Sequence, residues 1–183
     1  RQSLQEIYPP EEVKALSMLI CCDMLGLDAL DIYMGKDIIL SECKQRELEN
    51  IIFRLQKNEP IQYIRGVAEF CGRNFKVASG VLIPRPETAE LVELIVEENP
   101  NARRLLDIGT GSGCIAISLD KKLPDAEVEA WDISEEALAI ARKNNDALEA
   151  GVRFLQRDVL SDDWEKVPSF DVIVSNPLPV PIS

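Results

Sequence analysis

Histidine is missing from all 183 residues. Its absence removes the side chain that titrates nearest neutrality, and with it Ser-His-Asp hydrolysis and His-based metal chemistry. Basic residues are scarce, 20 Lys and Arg against 32 Asp and Glu, for a formal net charge of −12. Such a chain lacks the basic face with which nucleic-acid binders neutralise phosphates. The five cysteines (Cys21, Cys22, Cys43, Cys71, Cys114) are odd in number and never spaced C-x-x-C. Neither a disulfide framework nor a zinc site is expected, only reduced thiols of a cytoplasmic protein. No run approaches the ~18 apolar residues of a membrane span. No signal-peptide pattern is read in the residues shown, and internal repeats and low-complexity tracts are lacking from them. An apolar content of 46% with 28% charged residues is that of a globular chain. Its length suffices for one good core and a small accessory domain.

The most informative segment present is Leu105-Leu106-Asp107-Ile108-Gly109-Thr110-Gly111-Ser112-Gly113-Cys114. An apolar run ends in an acid, three glycines alternate with small hydroxyl residues, and an apolar helix-like run follows. That pattern is a parallel strand, a tight turn and a helix start, where an open α/β sheet receives a nucleotide-like ligand. Glycine is needed because the backbone turns sharply and the ligand approaches it closely. The dinucleotide fingerprint is G-x-G-x-x-G, with pyrophosphate on the helix N-terminus. Here the spacing is G-x-G-x-G, and Cys114 stands where the third fingerprint glycine would fall. The loop Gly109–Gly113, with Thr110, Gly111 and Ser112, is therefore read as packing against the amino-acid part and ribose of S-adenosylmethionine. Asp107 suits an ammonium group better than a phosphate.

A second strand over 126–131 ends in Asp132, placed to accept both ribose hydroxyls of an adenosine, with Ile133 counted to the same site. Asp132 also reads as a helix N-terminal acid, because Ser134, Glu135 and Glu136 open a helix over 134–150 that Gly151 would end. A third strand over 152–156 leads to Asp158-Val159, assigned to the adenine. A fourth over 170–175 runs into Asn176-Pro177.

At this point the chain resembles the HemK/PrmC-type protein-(glutamine-N5) methyltransferases, which modify class I peptide chain release factors. The resemblance covers nearly the whole chain. It includes Pro60-Ile61-Gln62-Tyr63-Ile64-Arg65-Gly66, Glu69-Phe70 and Phe75-Lys76-Val77. The most family-specific stretch is Val81-Leu82-Ile83-Pro84-Arg85-Pro86-Glu87-Thr88. The resemblance implies an α/β, Rossmann-like methyltransferase domain behind a small helical domain. It implies S-adenosylmethionine as cofactor and S-adenosylhomocysteine as product. Its protein partner would be a class I release factor, met by a cytoplasmic monomer with no direct contact to nucleic acid or membrane. The helical domain would contact that substrate, and Arg85 and Glu87 would lie over the pocket and share substrate binding with Asn176 and Pro177.

The chemistry can be reasoned beside the resemblance. An amide nitrogen is a poor nucleophile because its lone pair is delocalised into the carbonyl. Asn176 offers a donor and an acceptor on one side chain, and the Pro177 carbonyl adds an acceptor without a competing N–H. These two are the expected catalytic residues, acting by positioning and desolvation rather than as a general base, and Asn176 is also counted to the cofactor site. The motif in the family reads Asn-Pro-Pro-Tyr, whereas this chain reads Asn176-Pro177-Leu178-Pro179 and stops at Ser183. Only about four of the seven strands of such a sheet are accounted for, so the expectation is a fragment truncated after the fourth strand and inactive as written.

Three parts are expected: a helical substrate-binding domain over 1–58, a β-hairpin-like connector over 59–83, and the methyltransferase domain over 84–183. In the first, the stretch from Pro9-Pro10 to Leu25 carries Val13, Leu16, Ile20 and Met24 at helical spacing, with Gly26 to end it. A second over 41–57 carries Leu48, Ile51, Ile52 and Leu55. Pro84-Arg85-Pro86-Glu87-Thr88 would open a helix through Glu98. Three other functions stay open. An NAD-dependent oxidoreductase is disfavoured by Cys114 and by the lack of a catalytic His or Tyr-Lys pair. A nucleic-acid amino-methyltransferase, which shares Asn-Pro, is disfavoured by the net charge. A non-catalytic adaptor with the same fold is favoured by Leu178-Pro179.

Overall fold

The computed structural model describes residues 2–36, 38–161, 164 and 167–176. The chain divides into two compact units, Arg1–Arg65 and Gly66–Ser183.

The first unit is helical. Helix α1 (Pro10–Met18) has proline at its start and Glu11 and Glu12 in its first turn, where a missing N–H is harmless and negative charge meets the positive end of the dipole. Beyond Met18 it widens into a π-helical turn, Leu19–Met24. The spacing of buried residues explains the change. Val13, Leu16 and Ile20 follow the α period, but Leu25 lies five residues beyond Ile20 and is also buried. One added residue in the turn, with the Leu25 N–H on the Ile20 carbonyl at 2.9 Å, returns Leu25 to the same face. Gly26, at φ 63°, then ends the helix as expected. Helix α2 (Ala29–Tyr33), capped by the Asp28 carboxylate, was not foreseen. Helix α3 (Glu42–Gln56) is capped by Ser41 and buries Ile51 and Leu55, with Leu48 and Ile52 packed against the same cluster. Helix α4 (Ile61–Arg65) closes the unit. Both expected stripes are core.

The second unit opens with an antiparallel hairpin, β1 (Val67–Phe70) and β2 (Arg73–Lys76). Its two turn residues, Cys71 and Gly72, both have left-handed backbones (φ 47° and 70°), which suits the twist of a two-residue hairpin. The segment 59–83 therefore holds a short helix as well as the two strands. Next come α5 (Pro86–Glu98), β3 (Arg104–Ile108), α6 (Cys114–Lys122), β4 (Glu127–Asp132), α7 (Glu135–Ala147), β5 (Arg153–Gln156) and β6 (Val172–Ser175). The last four strands form one parallel sheet in the order β5-β4-β3-β6. The parallel α/β sheet matches the expected fold class. Leu105, Val128, Ala130 and Val174 of the sheet join α5 and α6 in a single core that also takes in Phe70 and Phe75 of the hairpin.

Two expected boundaries are corrected. Helix α5 starts at Pro86, not Pro84, because Arg85 is held extended (φ −102°, ψ 150°) by the proline that follows it. Helix α7 ends at Ala147, and Gly151 is not its stop. Glu149 takes the left-handed position (φ 53°), with its N–H on the Asp146 carbonyl and the Ala150 N–H on that of Asn145, a Schellman closure. Gly151 serves closeness instead. Its N–H meets Asp120 Oδ2 at 3.1 Å, and a Cβ there would lie 3.2 Å from Asp120 Oδ1.

Candidate functional site

Strand order reverses at β3, with β4 and β5 on one side and β6 on the other. Ligands of open α/β sheets bind beyond the carboxyl ends of the strands at such a point. Ile108, the last residue of β3, is in register with Trp131 of β4 and Ser175 of β6. The glycine loop, Asp132 and Asn176 therefore leave the sheet side by side, although 67 residues (176 − 109) separate Gly109 from Asn176.

The loop is pinned from below. The Gly109 and Thr110 N–H groups both donate to the Trp131 carbonyl, at 2.8 and 3.0 Å. The Gly111 N–H donates to Asp132 Oδ2 at 2.9 Å. Gly113 caps α6 at φ 80°, and a Cβ there would meet Ile117 Cδ1 at 3.1 Å and Ala141 Cβ at 3.2 Å. At Gly111, by contrast, a Cβ would meet nothing within 4 Å. The loop is thus packed on its inner side at Gly113 and open at Gly111.

Asp107 is fully buried. Its Oδ2 accepts the Thr110 hydroxyl at 2.7 Å and the Ala116 N–H at 3.3 Å, while Oδ1 has no partner among the described residues. Burial pushes this carboxyl up to about 6; its two hydrogen bonds oppose the rise and the nearby charge of Asp132 adds to it. A buried carboxylate oxygen without a donor is costly, and a cation seated there would offset that cost. Ser112 is buried with its hydroxyl also unpartnered among these residues. Burial likewise pushes the Cys114 thiol up to about 12, so it stays a neutral thiol.

Asp132 stands just before α7, in the helix N-terminal position its sequence allowed. Its Oδ1 accepts the Ser134 N–H at 3.0 Å at the mouth of α7, while its oxygens retain further lone pairs for a ligand. Ser134 itself is the cap, accepting the Ala137 N–H. Ile133 is exposed. Asp158 lies two residues past the end of β5, and its Oδ1 accepts the Leu160 N–H at 3.0 Å in a local turn; Val159 shares that turn. Asn176 is partly buried, and its Nδ2 donates to Thr88 Oγ1 at 3.0 Å. Pro177 lies outside the described residues, as do Leu178 and Pro179. Arg85 and Glu87 are exposed at the start of α5.

Two residues of the site escaped the sequence reading. Thr88 is the member of the Pro84–Thr88 stretch that turns inward, buried against Asn176. Asn144 of α7, 1% exposed, reaches the glycine loop by donating to the Ser112 carbonyl at 2.8 Å. The helical period placed Asn144 on the buried face with Ala137 and Ala141, and a polar residue at such a position was the available signal. Among the described residues no group of His, Cys, Asp and Glu could hold a metal ion, no disulfide forms, and no helix is long and apolar enough to cross a membrane.

The methyltransferase small domain matches residues 85–182, and the PrmC N-terminal domain matches residues 1–66. The release factor glutamine methyltransferase of Bacteroides thetaiotaomicron is 84% identical over 177 residues, covering 97% of this chain and 64% of that protein. That of Flavobacterium psychrophilum is 40% identical over 181 residues, covering 96% and 63%. That of Lactococcus lactis is 51% identical over 139 residues, covering 75% and 50%. The chain thus spans between 50% and 64% of the length of these curated relatives.

Proposed function

The chain belongs to the methyltransferase small-domain family and carries a PrmC-type N-terminal domain ahead of it, and from that premise we propose that the protein moves a methyl group from S-adenosylmethionine to the side-chain amide nitrogen of a glutamine in a class I peptide chain release factor. The observation that carries the reading is the meeting of three groups at the switch point of the sheet: the open oxygen of Asp107, the Gly111–Asp132 pair, and Asn176.

The residues present fit such a cofactor. Asp107 Oδ1 is a buried anionic acceptor suited to an ammonium group. Asp132 is suited to ribose hydroxyls, Ile133 to an apolar ring face and Asp158-Val159 to the adenine edge. Gly111 leaves the loop open where a side chain would obstruct approach. When bound, the cofactor supplies an electrophilic methyl on a sulfonium.

The chain's own contribution is positional. Asn176 is held by Thr88, so its side chain stands ready as a fixed partner for the NH2 group of a glutamine. Holding that group by hydrogen bonds turns its lone pair out of conjugation and towards the methyl, which is catalysis by orientation. No proton need be removed before attack, in keeping with a chain without histidine. Pro177 would add a carbonyl acceptor, and Arg85 and Glu87, exposed at the rim, would meet the protein substrate. We assign the helical unit to the same task. The acidic chain suits a partner with basic surface, and a cytoplasmic monomer that contacts no nucleic acid completes the reading.

The test is transfer of radiolabelled methyl from S-adenosylmethionine to a purified class I release factor by the full-length protein, followed by digestion and identification of the modified residue. Label is expected on a glutamine amide nitrogen. Asn176→Ala should abolish transfer while S-adenosylhomocysteine still binds; full activity in that variant overturns the mechanism. Cofactor binding without any transfer would favour the adaptor.

A further inference from the structure

Asn144 makes three hydrogen bonds, and together they fix its orientation. Its Oδ1 accepts the Lys76 N–H at 2.7 Å. Its Nδ2 donates to the Lys76 carbonyl at 3.0 Å and to the Ser112 carbonyl at 2.8 Å. Rotating the amide by half a turn would set donor against donor and acceptor against acceptor at all three contacts. Towards β2 the amide behaves as one residue of a neighbouring strand, pairing both backbone groups of Lys76. Towards the glycine loop it holds a backbone carbonyl in the middle of G-x-G-x-G. The side chain is sealed from water, at 1% exposure, so any contact it loses is not replaced by solvent. One turn earlier on α7, Ala141 lies within 3.2 Å of where a Cβ on Gly113 would stand. The same helix face therefore supports the loop twice.

We infer that Asn144 is a positioning residue for cofactor binding, locking the glycine loop to the β1–β2 hairpin so that the loop is held ready for its ligand and the hairpin responds to it. This rests on the reading of the loop as an S-adenosylmethionine site. A loop fixed in advance loses less freedom when the ligand arrives. By reciprocity, a ligand on the loop must stabilise the Asn144–Lys76 contact by the same factor. Hairpin and loop are 36 residues apart in sequence (112 − 76), and this amide links them physically.

The experiment measures S-adenosylhomocysteine binding by calorimetry and amide hydrogen exchange at Lys76, in the full-length protein. In the wild type the ligand should slow exchange of the Lys76 amide. Asn144→Asp keeps the shape and the acceptor for Lys76, but as a carboxylate it donates to neither carbonyl and as a protonated acid to only one. It should bind S-adenosylhomocysteine about tenfold or more weakly and lose the ligand-induced slowing at Lys76. At saturating cofactor its kcat should change far less than its KM for S-adenosylmethionine. Leu138→Ala, on the same helix and fully buried, removes core packing while leaving all three Asn144 hydrogen bonds their donors and acceptors. It should lower folding stability yet leave the ligand affinity within about twofold. If Asn144→Asp fails to fold, Asn144→Ser at low temperature takes its place in the same two measurements. Wild-type affinity in a folded Asn144 variant, or an equal loss in Leu138→Ala, overturns the inference alone. Absence of S-adenosylhomocysteine binding by the wild type overturns the functional reading, and the inference with it.

Discussion

Replacing Asp107 by asparagine should stabilise the ligand-free protein at alkaline pH relative to acid. The carboxyl has a pKa of 3.8 in the ordinary exposed state and about 6 in the folded chain, chiefly because it is buried. The gap between those two values corresponds to roughly 3 kcal/mol between the protonation states. Because the folded value is raised, the folded protein keeps a proton that the unfolded chain gives up. The resulting stability is fully present below about pH 3.8 and lost as pH rises through about 6. At pH 8 the wild type carries nearly the full penalty of about 3 kcal/mol, and at pH 5 about half of it. An asparagine at this position cannot titrate, so the stability of D107N minus that of the wild type should grow by about 1–2 kcal/mol from pH 5 to pH 8. Taking the difference between two pH values cancels any fixed cost of seating an amide where Oδ1 had no partner. It also cancels the titration of every carboxyl common to both proteins, including Asp171, held low by the Arg103 and Arg104 N–H groups. The assay is urea unfolding followed by tryptophan fluorescence. Both tryptophans, Trp131 and Trp164, belong to the second unit, so the signal reports on the unit that contains Asp107. A difference that stays constant between pH 5 and pH 8 refutes the argument, because it would mean that Asp107 is not raised by burial.

Glu149→Gly should raise stability by about 0.5–1 kcal/mol, since it relieves a left-handed backbone at an exposed position. Gly151→Ala should lower it, by crowding Asp120; thermal melts of the two variants should move in opposite directions. Asp132→Ala should weaken S-adenosylhomocysteine binding by about tenfold to a hundredfold, the range for a hydrogen bond to a charged group, read by calorimetry at constant pH. Asp158→Ala should cost less, because Asp132 also holds the Gly111 N–H of the glycine loop, whereas Asp158 accepts only the Leu160 N–H of its own turn.

Where neighbours along the chain do the work, the sequence alone determined the outcome. The G-x-G-x-G turn needs glycine because of backbone conformation within a few residues. The α3 boundaries follow from Ser41 at one end and from a buried stripe at helical spacing. The alternation of strands and helices dictated a parallel sheet, and the acids of β3 and β4 stand where that rule put them. Even the π-helical turn has its trace in the five-residue step from Ile20 to Leu25, although the α period hides it. What only the tertiary structure decided involves residues distant in sequence or burial that no local pattern encodes. Thr88 meets Asn176 across 88 residues, and Asn144 joins Lys76 to Ser112 across 68 and 32. Asp107 is acidic in any reading, but its missing partner on Oδ1 and its raised pKa arise from the packing of α6 and the loop around it. Glu149 could replace glycine at the end of α7 because the two closing backbone bonds and the bond from Lys121 to its carbonyl hold it there. In each case the deciding energy comes from desolvation and from contacts made only once the chain has closed on itself, and neither can be read from spacing along a strand or a helix.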